Sequence, residues 1–268
     1  MFDKTFFILI ALSLLFATSQ AAADEPATKT STPSSAEAPA TKTATKPAEE
    51  SKKKAPDRAA VQGGDVIDHS PFETLLGKYV DARGQVAYAG WARATADREA
   101  LKKYVDAVGR ARVEGKSEAS RLAFYINAYN AIVLNSVLEK WPVESVMKVD
   151  GFFTEEKHRV ANREMTLDDL EHNKVIRVEF NEPRIHFVLV CAAKSCPRLL
   201  RNAMTEKNLE GHLNTAAREF IPAATTRQGN KVITSQLFNW FKVDFEKDAG
   251  SVAAYLAKYV DTPTAAVL

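Results

Sequence analysis

The chain has 268 residues, with 36 lysines and arginines against 34 aspartates and glutamates, a formal net charge of +2. That near-neutral balance, with no basic stripe interleaved with aromatics, excludes nucleic acid as a natural partner. No internal repeat is visible.

Residues 1–23 have the build of a secretory signal peptide. Lys4 supplies a basic start, Phe6 to Phe16 an apolar core, and Ala21-Ala22-Ala23 a small-residue cleavage site. An apolar run of about 11 residues is well short of the ~20 that cross a bilayer, so no stable membrane span is expected after cleavage. Residues 24–64 are mainly Ala, Thr, Pro, Lys, Glu and Ser, and read as a disordered linker. The Lys52-Lys53-Lys54 run is flanked by Glu49, Glu50 and Asp57 and reads as solvated. The expectation is an exported protein, periplasmic or extracellular, whose residues 65–268 form one globular domain.

Within that domain Ser70-Pro71-Phe72-Glu73 reads as a capped helix start, with the helix running to about Val80. A turn at Asp81–Gly84 leads to a short strand, Gln85 to Tyr88, and a helix follows over Arg98–Val108. Glu118 to Trp141 has apolar residues on nearly all sides, the mark of a buried helix, ended by Trp141-Pro142. Asn127 and Asn130 share one face of it. Buried amides must be hydrogen-bonded, so they either tie loop backbone together or orient a reacting group.

Met165–Leu170 is a second strong start: Thr166 caps, Asp169 takes the third position, and Met165 staples to Leu170. On an α-helix Asp168 and His172 would face each other, as an ordinary ion pair or as a carboxylate orienting an imidazole. Ile185 to Val190 is apolar and β-branched and reads as a central strand carrying His186, with Cys191 on the opposite face. Thr205 caps a helix bearing Leu209, Leu213, Ala217 and Phe220. Arg227–Asn230 reads as a hairpin turn, Ser235 opens an aromatic helix, and Ser251 opens the last one. The sum is α+β: a mostly helical single domain around a long buried central helix, with several short strands.

Both cysteines lie in Arg184–Pro197. Cys191 and Cys196 are five apart and read as a small disulfide, a redox-labile one, or a nucleophile. Cys196 stands before Pro197 and beside Lys194, which would lower its pKa. His186, Cys191 and Cys196 are of zinc-ligand type, but no second pair at zinc spacing exists in the sequence, so no metal is expected, and no cofactor motif appears.

Ala123–Ala131 (AFYINAYNA), Leu167–His172 (LDDLEH), Pro183–Pro197 (PRIHFVLVCAAKSCP), Ser235–Phe245 and Asp68–Phe72 together resemble the domain of unknown function 547 family. The likeness runs from about Asp68 to Val260. It implies no established activity. It places Asn127, Asn130, Glu171, His172, Arg184, His186 and Cys191 on the family's motif positions. The resemblance also implies serine in some relatives where Cys196 stands, and glycine in many where Ala192 follows Cys191.

Two functions follow. One is a non-enzymatic envelope module binding a protein, peptide or glycan. The other is a thiol-dependent hydrolase or transferase of peptide-like bonds. In that enzyme Cys191 or Cys196 is the nucleophile, His172 or His186 the base, and Asp168 or Glu171 its orienting carboxylate. Asn127, Asn130 and Arg184 would serve as binding residues.

Overall fold

The computed structural model describes residues 64–193 and 196–268. The expected signal peptide, almost all of the 24–64 linker, and Lys194 lie outside them. Among the described residues no helix is long and apolar enough to cross a membrane.

The centre is helix α4 (Glu118–Glu139), whose Leu122, Phe124, Ile126, Ile132, Val133 and Leu134 are buried all round the helix. It is the expected element, begun by Ser117, whose hydroxyl accepts from Ser120 N–H (3.1 Å). Helix α1 (Ser70–Tyr79) precedes it and places Phe72, Leu75 and Leu76 in the core. Ser70 does not cap α1 but lies inside it. The Asp68 carboxylate takes both the Ser70 N–H and its hydroxyl (2.9 Å each), so the acid two residues upstream does the capping work.

The strand expected at Gln85–Tyr88 shrinks to a single bridge, Val80 to Val86. Tyr88 instead begins helix α2 (Tyr88–Arg93), and helix α3 (Thr95–Arg110) starts three residues earlier than expected and packs along α4. Gly84 shows why this corner is tight. Its φ is +77°, and a Cβ there would stand 2.5 Å from Arg198 Cβ and 2.6 Å from Leu199 N. Only glycine fits both the left-handed conformation and the approach.

A hairpin that carries no asparagine–glycine signature follows: strands β1 (His158–Val160) and β2 (Arg163–Met165) pair antiparallel. Its turn residues Ala161 and Asn162 both have positive φ, the backbone of a two-residue hairpin turn. Tertiary contacts stabilise it, since Ala161 N–H and Asn162 N–H donate to the carbonyls of Val108 and Gly109 at the end of α3.

The Thr166 start signal is real: Asp169 N–H donates to Thr166 Oγ1 at 3.0 Å. The turn it opens, however, is a π-helix over Asp169–Asn173, followed by the short helix α5 (Ile176–Glu179). The Ile185–Val190 run is not a strand. Pro183–Phe187 forms a 3-10 helix, begun by Glu182, whose carboxylate accepts from Arg184 N–H (3.0 Å). Full burial of a short apolar run does not distinguish the two conformations, because both can bury every side chain.

Helix α6 (Leu209–Ala223) follows the Thr205–Asn208 turn. The expected hairpin is present as β3 (Thr226–Gln228) and β4 (Lys231–Ile233), turning at Gly229-Asn230. The aromatic run divides into α7 (Leu237–Trp240) and α8 (Lys242–Ala249). Ser251 caps α9 (Val252–Ala257), and one further short helix, α10 (Thr262–Ala265), succeeds it. Phe238, Phe245 and Tyr255 from this end meet Phe187 in one aromatic cluster. The architecture is α+β, mostly helical around one long buried helix, with two small sheets.

Candidate functional site

Cys191 and Cys196 are joined in a disulfide, with Cα atoms 6.5 Å apart. Cys196 N–H donates to Ala193 O (3.1 Å). Ala192, the residue after Cys191, takes φ +56°. This is the position at which the family resemblance points to glycine in relatives, and the left-handed backbone is the physical reason glycine suits it.

Asn130 and Asn127 hold the chain on either side of this loop. Asn130 Nδ2 donates to Val188 O (2.9 Å) and its Oδ1 accepts from Val190 N–H (3.0 Å). Asn127 does the same for one residue beyond the loop, donating to Met204 O (2.7 Å) and accepting from Met204 N–H (2.9 Å). Each buried amide thus replaces a neighbouring strand, satisfying backbone groups that would otherwise be orphaned. Arg184 is also fully engaged. Its guanidinium donates to Glu182 (2.6 and 2.7 Å), Glu210 (2.7 and 2.9 Å) and Asn214 (2.8 Å), and the Glu182 hydrogen bonds raise its pKa further.

The π-helix changes the expected pairing of Asp168 with His172. In a π-turn the neighbour is five residues on, not four. Asp168 accordingly accepts from Asn173, and Asp169 pairs with Lys174 at 2.7 Å. The wider turn carries His172 past Asp168. His172 Nε2 lies 3.7 Å from Glu171 Oε1, and its Nδ1 accepts from Arg177 Nη1 at 3.5 Å.

Arg177 connects this turn to a residue that the sequence did not single out. Its Nε and Nη2 donate to the two oxygens of Asp244 on α8 (2.7 and 2.9 Å). Asp244 Oδ2 also accepts from His186 Nε2 at 2.7 Å. His186 is 3 % exposed and lies flat on Phe241, with ring centroids 3.7 Å apart at 10°. Burial lowers the His186 pKa below its ordinary 6.5, so the imidazole is neutral and donates its Nε2 proton. Burial opposes charge on Asp244 too, but the hydrogen bonds from His186 and Arg177 outweigh it and hold the carboxyl well below the carboxylate range. The negative charge therefore sits on Asp244, matched by Arg177. His186 Nδ1 is buried and has no partner among the described residues.

At the other end Glu171, 9 % exposed, faces Tyr129 of α4, whose pKa burial and that carboxylate both raise. The result is a chain of polar groups, Tyr129, Glu171, His172, Arg177, Asp244 and His186, drawn from α4, the π-helix, α5, α8 and the 3-10 helix. Of these the sequence singled out Glu171, His172 and His186. Asp244 and Phe241 were inside the recognised Ser235–Phe245 run, and their spacing of three was the available signal. No hydrogen bond joins a sulfur to an imidazole among the described residues, and no group of three or more potential metal ligands occurs there. Both thiols are bonded to each other, so neither is available as a nucleophile in this state.

Fold and site together define an α+β domain in which a buried helix carries two backbone-binding amides and supports a disulfide-closed loop. A family model described as "Protein of unknown function, DUF547" matches residues 113–221, and this part of the chain belongs to that family. The matched stretch includes α4, the π-helix and the whole disulfide loop, and ends before α8 with Asp244. No curated protein and no solved structure matches the chain.

Proposed function

We propose that this is an exported, non-enzymatic binding module whose disulfide loop and buried amides are structural. The observation that carries the reading is that the residues expected to do chemistry are engaged elsewhere. Cys191 and Cys196 bond to each other, and the Asn127 and Asn130 amides hold backbone. An oxidising compartment is where such a bridge persists, which supports export.

The test is made on mature protein isolated without reductant. No alkylation of either cysteine is expected until a reductant is added. Wild type and a Cys191→Ser/Cys196→Ser double variant are expected to cosediment equally with isolated cell-envelope material. A thiol that alkylates rapidly near neutral pH, or recovery only from the cytosol, overturns the reading.

One observation favours the thiol-enzyme alternative, the buried Nδ1 of His186, unpartnered among the described residues and oriented through its other nitrogen by Asp244. An oriented imidazole with one free nitrogen is the base half of a nucleophile pair. Under that alternative, His186→Gln lowers the alkylation rate of reduced protein at pH 7 by at least about tenfold.

A further inference from the structure

An open cleft of about 490 Å³ lies at the C-terminal end of α1. Its wall runs from Gly77 to Ala87 and is completed by Arg201. Its size is within the range that takes small ligands. The wall is rigid: Arg201 Nη2 donates to Gly77 O (2.8 Å), the Val80–Val86 bridge closes the turn, and Gly84 is wedged against Arg198 and Leu199.

The charges at the cleft cancel. Lys78 is paired with Asp97, and the other two charged lining residues, Arg201 and Asp81, are of opposite sign. A strongly anionic ligand such as a phosphate finds no unpaired cation excess here. Hydrogen-bonding capacity, by contrast, is available in both senses. Asp81 Oδ1 accepts from Arg83 N–H and Gln85 N–H (2.8 Å each), which fixes the carboxylate and leaves Oδ2 as an acceptor. The exposed Gln85 amide makes no side-chain hydrogen bond to another described residue, and Arg201 uses one of its five N–H donors.

Beyond Ala87 the chain passes directly into Tyr88, and Tyr88 stacks on Trp141, with ring centroids 5.6 Å apart at 21°. Tyr88 is half-buried, whereas Trp141 is 36 % exposed. The indole is therefore held in place from one side and offered to solvent on the other. Mixed donors and acceptors without net charge, with an aromatic pair that begins at the residue after the lining Ala87, suit a ligand that is neutral, rich in hydroxyls and apolar on one face. A pyranose ring is such a molecule, since its axial C–H groups lie on an aromatic face while its hydroxyls point outward.

We infer that the Asp81–Gln85–Arg201 cleft and the Tyr88–Trp141 stack form a binding site for a neutral oligosaccharide. This names the ligand class of the binding module proposed above and rests on that reading.

The experiment is a calorimetric and tryptophan-fluorescence titration of the mature protein with chitohexaose, cellohexaose, maltohexaose and mannohexaose. At least one of the four is expected to bind and to change the fluorescence. Trp141→Ala is expected to weaken that binding by at least about tenfold and to remove the fluorescence change. Gln85→Ala, an exposed change that leaves the fold alone, is expected to weaken it about threefold to tenfold. Trp240→Ala, at an exposed tryptophan on α7, is the control and is expected to bind as wild type. Absence of binding by all four sugars overturns the assignment, and so does full binding by both Trp141→Ala and Gln85→Ala. Envelope cosedimentation that persists after either failure leaves the binding-module reading standing, so the two are tested separately.

Discussion

Asn130 occupies a position where one substitution removes two buried hydrogen bonds, those to Val188 O and Val190 N. Alanine there leaves a backbone donor and a backbone acceptor unpaired, at about 1–3 kcal/mol each. Asn130→Ala is therefore expected to lower stability by about 2–6 kcal/mol, read as a fall in the urea midpoint with the slope unchanged. Asn130→Asp separates the two bonds: a carboxylate still accepts from Val190 N–H but faces Val188 O without a donor. It is expected to be at least as damaging. Ala192 tests the opposite sign. Its φ of +56° carries a penalty of about 1–2 kcal/mol for a residue with a Cβ. Glycine removes that penalty but frees the unfolded chain by about 0.4–1 kcal/mol. The first effect is larger, so Ala192→Gly is expected to raise the unfolding free energy by up to about 1.6 kcal/mol, measured by urea titration under non-reducing conditions.

Among elements, the decisive contact is the junction of the 3-10 helix, α5 and α8 at Asp244. His186 is faced there by Asp244 from α8, Arg177 from α5 and Glu171 from the π-helix. Burial lowers the His186 pKa in the folded chain, so the unfolded chain takes up the proton first as pH falls. The stability this group contributes is present above pH 6.5 and is lost as the pH drops through the lowered folded value. His69, His158 and His212 are lowered by burial in the same direction. Urea unfolding followed from pH 7.5 downward is expected to show falling stability below pH 6.5. In His186→Gln that loss becomes shallower without vanishing, because the other three histidines still titrate. An unchanged slope in the variant would show that His186 is not a source of the pH dependence.

At the scale of the whole molecule, the disulfide closes a loop of only a few residues on a domain whose core lies elsewhere. The chain-entropy relation for so short a loop gives a contribution of about 2 kcal/mol. The Cys191→Ser/Cys196→Ser protein is expected to keep its far-ultraviolet circular dichroism and unfold cooperatively, with stability lower by about that amount. Loss of helical signal would mean that the bridge organises more of the fold than its own loop. The core around α4 argues for the smaller effect, since α4 packs on α3 and α3 on α1, and neither Cys191 nor Cys196 belongs to that core.

Sequence alone determined the elements whose signal is local and repeated. The buried helix α4 was legible from its unbroken apolar surface, the hairpin at Gly229-Asn230 from its turn residues, and three members of the candidate site's polar chain, Glu171, His172 and His186, from the motifs that carry the family resemblance. Tertiary structure decided everything that depends on a distant partner. The β1–β2 hairpin exists because its turn docks on the end of α3. Ile185–Val190 is not a strand, because Asn130 and a 3-10 turn, not a neighbouring strand, satisfy its backbone. The π-turn moved His172 away from Asp168. Asp244 entered the site from 58 residues beyond His186. Periodicity records which side chains are buried, but a buried polar group is defined by the partner that satisfies it, and that partner is set only when the chain has folded.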